Sequence, residues 1–265
     1  MMSININGAK YDKQNILLNA ISADIILIQE SHYDDTTMLH HPFEAKFQKR
    51  FKYFTNNFNS QRAGVITIVN RKYKTTEIES TITKKIEMKG RIMHLLIKIG
   101  KFNYNIINIY APNDDKTNKE FIVTVMQYAA MFPRTIVAGD FNRKRGELQT
   151  LVYEATKGTM HVNSKIGCKT TYQKKRQGKT IKSEIDFFIM TDDVYYQTTK
   201  STVIYKRISD HFPVTANIII PKYCKVKPLK LYTSTMHTMQ TKELYALMMT
   251  TGTPIKRKWY LSPTI

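Results

Sequence analysis

The sequence predicts a sheet-rich α/β domain of packed layers over residues 1–220, followed by a basic appendage or linker over residues 221–265. Short apolar runs of strand length recur along the chain, with a few stretches of helical periodicity between them. Six of these segments close on an acid, an amide, a phenol or an imidazole, the layout of a site assembled on strand ends. The 42% hydrophobic content is enough to fill a sizeable core.

Residues 3–7 alternate Ile with polar side chains, as a strand does. Residues 15–23 place Ile16, Leu17, Ala20 and Ile21 on one helical face. The run from Asp24 through Ile25-Ile26-Leu27-Ile28 to Gln29-Glu30 is continuously apolar, the pattern of a strand buried on both faces. Residues 64–70 form another strand. Residues 92–99 and 103–110 form two more around Gly100-Lys101, which predicts a hairpin. Residues 118–131 carry Phe121, Ile122, Val125, Met126 and Ala129 at helical spacing, and Pro133 stops that helix. Strands at 135–138, 185–190 and 214–220 complete the set. Within the tail, residues 236–249 carry a short amphipathic pattern, and Trp259 is the sole tryptophan.

Forty-one Lys and Arg against 21 Asp and Glu give a net charge of +20. Such an excess favours a polyanionic partner, because cationic side chains that neutralise phosphates release counterions. Two cysteines, Cys168 and Cys224, do not predict a disulfide-stapled secreted fold. The start of the chain lacks the pattern of a signal peptide, and no apolar run approaches the length of a membrane span. The expectation is an intracellular protein, nuclear where DNA is its substrate, with no membrane partner.

Phosphodiester hydrolysis needs charge neutralisation at the phosphoryl oxygens, an aligned water and a donor for developing negative charge. Glu30, ending a buried strand, is the best candidate for a hard-cation ligand, since Mg²⁺ prefers carboxylate oxygen. Asp140 in Gly139-Asp140-Phe141-Asn142 suits a water-orienting role. Gly139 permits close backbone approach, and Asn142 returns to the same face if the segment stays extended. His211 in Ser209-Asp210-His211-Phe212-Pro213-Val214 can donate as imidazolium if a carboxylate such as Asp186 holds its other nitrogen. Tyr110 offers a phenol, and Asn7 an amide that orients a carboxylate or touches the metal. Each alone has a blander explanation: a polar residue where a strand surfaces, a turn, a packed tyrosine. Their joint occurrence in this order carries the weight.

Taken together, Asn5-Ile6-Asn7-Gly8, Ile28-Gln29-Glu30-Ser31, Asn108-Ile109-Tyr110-Ala111-Pro112-Asn113, Gly139-Asp140-Phe141-Asn142, Ser183-Glu184-Ile185-Asp186 and the 209–214 run resemble the successive motifs of the endonuclease/exonuclease/phosphatase superfamily. The resemblance covers residues 3–220. It implies a deoxyribonuclease-like four-layer α-β-β-α sandwich with two central, mostly antiparallel sheets, and a Mg²⁺-dependent phosphodiesterase site in which Mn²⁺ can substitute. On that resemblance Glu30 is the main metal ligand, assisted by Asn7 and Asp210. Asp140 and Asn142 orient the water, His211 with Asp186 stabilises the phosphate, and Tyr110 lies near the scissile bond.

Within the superfamily, Tyr110 stands where secreted deoxyribonucleases and sphingomyelinases tend to carry His. Ser183 stands where animal-type abasic-site enzymes carry an aromatic residue. The Ser-x-Ile-Asp form is similar to the endonuclease domain of LINE-type (non-LTR) retrotransposons. Residues 171–182 read as a hairpin bearing four Lys and one Arg, similar to the DNA-probing hairpin of those nucleases. Asn113, Thr171, Ser183, Lys174, Lys175 and Arg176 are accordingly the expected DNA-contacting positions. The expected activity is nicking of double-stranded DNA, in a chain that feeds into a reverse transcriptase within a longer polypeptide. The rivals are an abasic-site repair nuclease, a phosphoesterase of the same fold acting on RNA or a small phosphoester, and a catalytically silent nucleic-acid-binding module.

Overall fold

Two six-stranded sheets carry the chain, each built around one parallel pair of strands. The computed structural model describes residues 1–8, 23–33, 45–58, 62–80, 82, 84–85, 88–163, 170–206 and 208–220, all within a unit spanning Met1–Pro221. The expected helix at 15–23, apart from Ala23, lies outside the described residues. So do the appendage, with its helical pattern and Trp259, and both cysteines.

The first sheet contains β1 (Met2–Asn5), β2 (Ile25–Gln29), β3 (Phe51–Asn56), β4 (Val65–Asn70), β13 (Thr198–Val203) and β14 (Val214–Ile218), in the order β13-β14-β1-β2-β4-β3. Only β1 and β2 run parallel. The second contains β5 (Lys74–Glu77), β6 (Ile92–Ile99), β7 (Phe102–Tyr110), β8 (Thr135–Asp140), β9 (Met160–Val162) and β12 (Asp186–Thr191), in the order β5-β6-β7-β8-β12-β9. Here β7 and β8 are the parallel pair. A separate ribbon pairs β10 (Tyr172–Arg176) with β11 (Lys179–Ser183).

Apolar residues at alternate strand positions fill the space between the sheets. Leu27, Val65, Val69 and Val214 of the first sheet meet Leu95, Ile106, Ile136 and Phe188 of the second. On the outer face of the first sheet, Ile4, Ile26, Ile28, Ile66 and Ile68 pack with Phe47 of α1 (Ala45–Arg50). The outer face of the second is covered by α2 (Asp115–Ala129) and α3 (Arg145–Thr156) through Phe121, Ile122, Val125, Leu148 and Val152. A short α4 (Asp192–Gln197) follows β12. This is the expected sandwich of layers, with two sheets inside and helices outside.

Predicted and observed elements agree best where burial is complete: β2, β8 and β12 are buried almost throughout. Helix α2 begins three residues before the predicted start, because the Asp114 carboxylate accepts from the Thr117 amide at 2.9 Å and caps it. The β6–β7 turn falls at Gly100-Lys101 as predicted, Ile99 pairing with Phe102. The first strand is shorter than its alternation suggested: β1 stops at Asn5, and Asn7 takes a left-handed φ of 44°. The half-exposed strands β3, β5 and β13, and helix α3 with few buried positions, carried no clear apolar period.

Candidate active site

Strand direction brings six chain segments to one end of the sandwich. Strands β1, β2, β7 and β8 finish there, whereas β12 and β14, antiparallel to β8 and β1, begin there. Across the second sheet Tyr110 pairs with Asp140, and Asp140 with Asp186. Residues in register on adjacent strands share a sheet face, so phenol and both carboxylates stand in one row. Gly139 makes the row feasible. Its φ is 154°, and a Cβ there would overlap the carbonyl oxygen of Ile109 on the neighbouring strand.

His211 closes the row. Its Nδ1 lies 2.9 Å from Asp186 Oδ2 and 3.1 Å from Oδ1, and its Nε2 lies 3.8 Å from Asp140 Oδ2. Ser209 shapes this loop: its hydroxyl accepts from the His211 amide at 2.9 Å and donates to the Asn5 carbonyl at 2.6 Å. All three members of the cluster are buried, His211 at 5% exposure. Burial opposes charge on the imidazole, but the carboxylates of Asp186 and Asp140 outweigh it and push His211 up to about 10. Burial raises the Asp140 carboxyl to about 7 against the lowering pull of His211. Asp186 adds to the rise, while Asn5 and the Asn142 amide oppose it.

Asn5 was not among the residues singled out from the sequence, yet its Nδ2 crosses from the first sheet to donate to Asp140 Oδ2 at 2.9 Å. Asn7, the amide expected to orient a carboxylate or touch the metal, turns its Nδ2 to the carboxylate of Asp210, at 3.3 and 3.4 Å. Asn142 reaches the site differently from expectation. The chain does not stay extended after Asp140. Asn142 adopts φ 48°, its amide donates to Asp140 Oδ1 at 2.9 Å, and its Nδ2 donates to the Ala111 carbonyl. The turn holds the carboxylate from one side as Asn5 holds it from the other.

Glu30 follows β2 with φ 51°, a left-handed conformation that disfavours a side chain of its length. Its carboxylate bears on the Tyr110 phenol, and His32 Nε2 lies 3.5 Å from its Oε2. Burial, then the charges of Glu30 and Asp140, push the Tyr110 phenol far above its ordinary range, so it is a neutral donor. Arg91 grips this tyrosine from both sides of its backbone. The Arg91 carbonyl accepts the Tyr110 amide at 2.8 Å, Nη1 donates to the Tyr110 carbonyl at 3.3 Å, and the guanidinium lies over the ring. Below the site, Gln29 Nε2 donates to Asn108 Oδ1 at 2.7 Å, and Asn108 Nδ2 donates to the Ile28 and Ile66 carbonyls, tying the two sheets together.

The DNA-contacting positions inferred from the sequence fall into two groups. Lys175, Arg176 and Asn113 are exposed, and Lys174 reaches Asp210 at 3.6 Å. Thr171 is fully buried, so it presents no surface to a duplex; its hydroxyl accepts the amides of Ile185 and Asp186 at 3.0 and 3.1 Å. Ser183, half-buried, is the register partner of Tyr172 at the hairpin base.

Two sets of side chains could hold a divalent ion. Asp140, Asp186 and His211 lie within 4.8 Å of one another, but each His211 ring nitrogen already faces a carboxylate, and an imidazolium has no lone pair for a metal. Glu30, Asn7 and Asp210 offer hard oxygen donors on adjoining turns, joined by the Asn7–Asp210 contact and by the Gly8 amide donating to the Glu30 carbonyl at 2.8 Å. That donor chemistry fits Mg²⁺.

Comparisons with known proteins agree with this geometry. Residues 104–215 match the family described as endonuclease-reverse transcriptase. The Transposon TX1 uncharacterized 149 kDa protein of Xenopus laevis is 23% identical over 215 residues, which span 74% of this chain but only 16% of that protein. The endonuclease domain of TRAS1, a telomere-specific non-LTR retrotransposon, superposes with a TM-score of 0.61 at 18% identity, covering 83% of this chain and 98% of that domain. The AP endonuclease LMAP of Leishmania major gives a TM-score of 0.65 at 11% identity, over 83% and 87% of the two chains. The fold, the order of the site segments and the family match over residues 104–215 are similar to those of the endonuclease/exonuclease/phosphatase superfamily. Within it, the similarities lie on the side of the LINE-type, non-LTR retrotransposon endonucleases.

Proposed function

We propose that this chain is a Mg²⁺-dependent endonuclease that nicks double-stranded DNA, leaving a 3′-hydroxyl and a 5′-phosphate, as the target-site nicking region of a retrotransposon-type protein. The observation that carries the reading is the row Tyr110, Asp140, Asp186 closed by a His211 held between two buried carboxylates. The +20 charge favours a polymer over a small phosphoester, and the transposon relative supports a longer parent polypeptide.

Glu30, Asn7 and Asp210 would hold the cation, which when bound neutralises charge on the phosphoryl oxygens. Asp140, its carboxylate fixed by Asn5 and the Asn142 amide, takes a proton from the attacking water. The new P–O bond forms as the bond to the 3′ oxygen breaks, so water oxygen leaves on the 5′-phosphate. His211, charged through the neutral range, donates to the phosphoryl oxygen as negative charge grows there. Tyr110, kept neutral, is the donor nearest the leaving 3′ oxygen, which departs protonated.

Nicking of supercoiled plasmid with and without Mg²⁺, followed by mapping of the cut ends, tests this reading. His211→Ala and Asp140→Ala should each lose about two to four orders of magnitude in rate while retaining DNA affinity. Nicking at the wild-type rate by both variants would refute the assignment, and turnover of a soluble phosphomonoester without plasmid nicking would move the substrate to a small phosphoester.

A further inference from the structure

We propose that Tyr172 is a positioning residue through which the basic β10–β11 hairpin acts on His211, so that a duplex held by the hairpin sets the geometry of the His211–Asp186 pair. This inference rests on the nuclease reading, and it concerns how that site is switched to its working geometry rather than which groups do the chemistry.

Both halves of the pair hang from the base of the hairpin. On one leg, Tyr172 forms a β-bridge with His211, and their rings meet edge-on with centroids 4.9 Å apart. Backbone bonds flank that bridge: the Phe212 amide donates to the Thr171 carbonyl and the Gln173 amide to the Asp210 carbonyl, each at 2.7 Å. The other leg runs through Ser183 into Asp186, whose amide is held by the Thr171 hydroxyl at 3.1 Å. The Thr171 amide donates to the Ser183 carbonyl at 2.9 Å and locks the two legs together. The far end is different in kind. Lys175, Arg176, Lys179 and Lys182 are exposed, and the turn at Gly178 has open space around it.

A charged ribbon whose tip is exposed, and whose base is hydrogen-bonded to Asp186 and to the residues on either side of His211, works as a lever. Phosphates drawn to the tip tilt β10, and the Tyr172 ring carries the tilt into an imidazole that is 5% exposed and packed against it. Catalytic rates respond steeply to small misplacements of reacting groups. Hairpin contacts should therefore be expressed in the rate of the bound complex as well as in affinity.

Single-turnover nicking and duplex affinity, measured on the full chain, decide the matter. Tyr172→Ala should lower the saturated rate by about 10- to 100-fold while duplex Kd changes by no more than about threefold, and Tyr172→Phe, which keeps the ring, should restore the rate. Neutralising the tip with Lys175→Gln and Arg176→Gln should lower both affinity and saturated rate in the wild-type background. In the Tyr172→Ala background the same change should lower affinity alone. An unchanged saturated rate for Tyr172→Ala, or a tip effect on rate of the same size in both backgrounds, overturns the proposal. A second readout does not depend on cleavage. With His211 imidazole nitrogens observed by NMR in EDTA, duplex addition should shift the signal in wild type and not in Tyr172→Ala; equal shifts in both overturn it. Wild-type protein that shifts the signal yet nicks nothing would refute the nuclease reading and leave the coupling standing. Thermal melts accompany each variant, with Tyr172→Leu replacing Tyr172→Ala should the latter not fold.

Discussion

Asp186 stands directly across from Asp140 in the β8–β12 register, and a single imidazole lies between their carboxylates, 2.9 Å from one and 3.8 Å from the other. Two buried carboxylates side by side repel, and His211 is the charge that makes their proximity tolerable. Asp186→Asn should keep the fold but remove the charge that holds the imidazole protonated, lowering nicking by about two to four orders of magnitude with DNA binding retained. Because Asp186 acts through His211, adding His211→Ala to Asp186→Asn should cost little more than either alone. Multiplicative losses in the double variant would show that the two residues work separately.

The rate should climb as pH rises through about 7, as Asp140 loses its proton and becomes able to accept one from water. It should then hold until His211 begins to discharge toward about 10. Asn5 donates to the Asp140 carboxylate and so favours its ionised form. Asn5→Ala should therefore move the acidic limb to higher pH and lower the rate most at neutral pH, with recovery in alkaline buffer. A pH–rate profile with an unmoved acidic limb would remove Asn5 from this role.

Much of this site was legible because apolar runs end on Glu30, Tyr110 and Asp140 and begin after Asp186, and burial forces such runs to be strands. Which of two neighbouring amides serves which acid was not legible. Asn5 and Asn7 alternate with Ile in the sequence, and the choice depends on β1 stopping at Asn5 and the chain turning left-handed at Asn7. Thr171 was expected to contact DNA because it opens the basic hairpin. Only the hairpin base, where it takes the Ile185 and Asp186 amides, shows it to be a strut. Edge strands such as β5 and β13 escaped notice for a simpler reason: a strand half in water carries no continuous apolar signal.

Glu184, an acid two residues before Asp186 in a strongly basic chain, has a structural explanation. It accepts from Arg145 Nε and Nη2, at 2.9 and 2.6 Å, while Nη1 donates to the Asn163 carbonyl and the guanidinium also lies over the Phe187 ring. The pair is largely buried, with side chains 20% and 10% exposed. Glu184→Ala should strand the Arg145 charge and destabilise the fold by about 3 kcal/mol. The expected reading is a lower midpoint in urea unfolding, with the duplex affinity of the folded protein unchanged. A midpoint equal to wild type would mean that water replaces the lost carboxylate at no cost.

His94, buried against Tyr128 of α2, makes stability itself depend on pH. Asn105 donates through its Nδ2 to the Pro133 carbonyl, which leaves its Oδ1 to accept from His94 Nε2 at 3.0 Å; Nδ1 then accepts from the Tyr128 hydroxyl at 2.8 Å. Burial holds the imidazole below its ordinary value, partly offset by Asn105, so His94 folds neutral. The unfolded chain binds a proton there once pH falls below about 6.5, whereas the folded chain does so only at lower pH. Stability should therefore be present above about 6.5 and decline at up to about 1.4 kcal/mol per pH unit as pH falls toward the depressed folded value. His94→Gln, which removes the titrating group, should be less stable at pH 7 but lose less on going to pH 5. Urea unfolding at the two pH values measures the difference, and equal losses in the two proteins would place the pH sensitivity elsewhere.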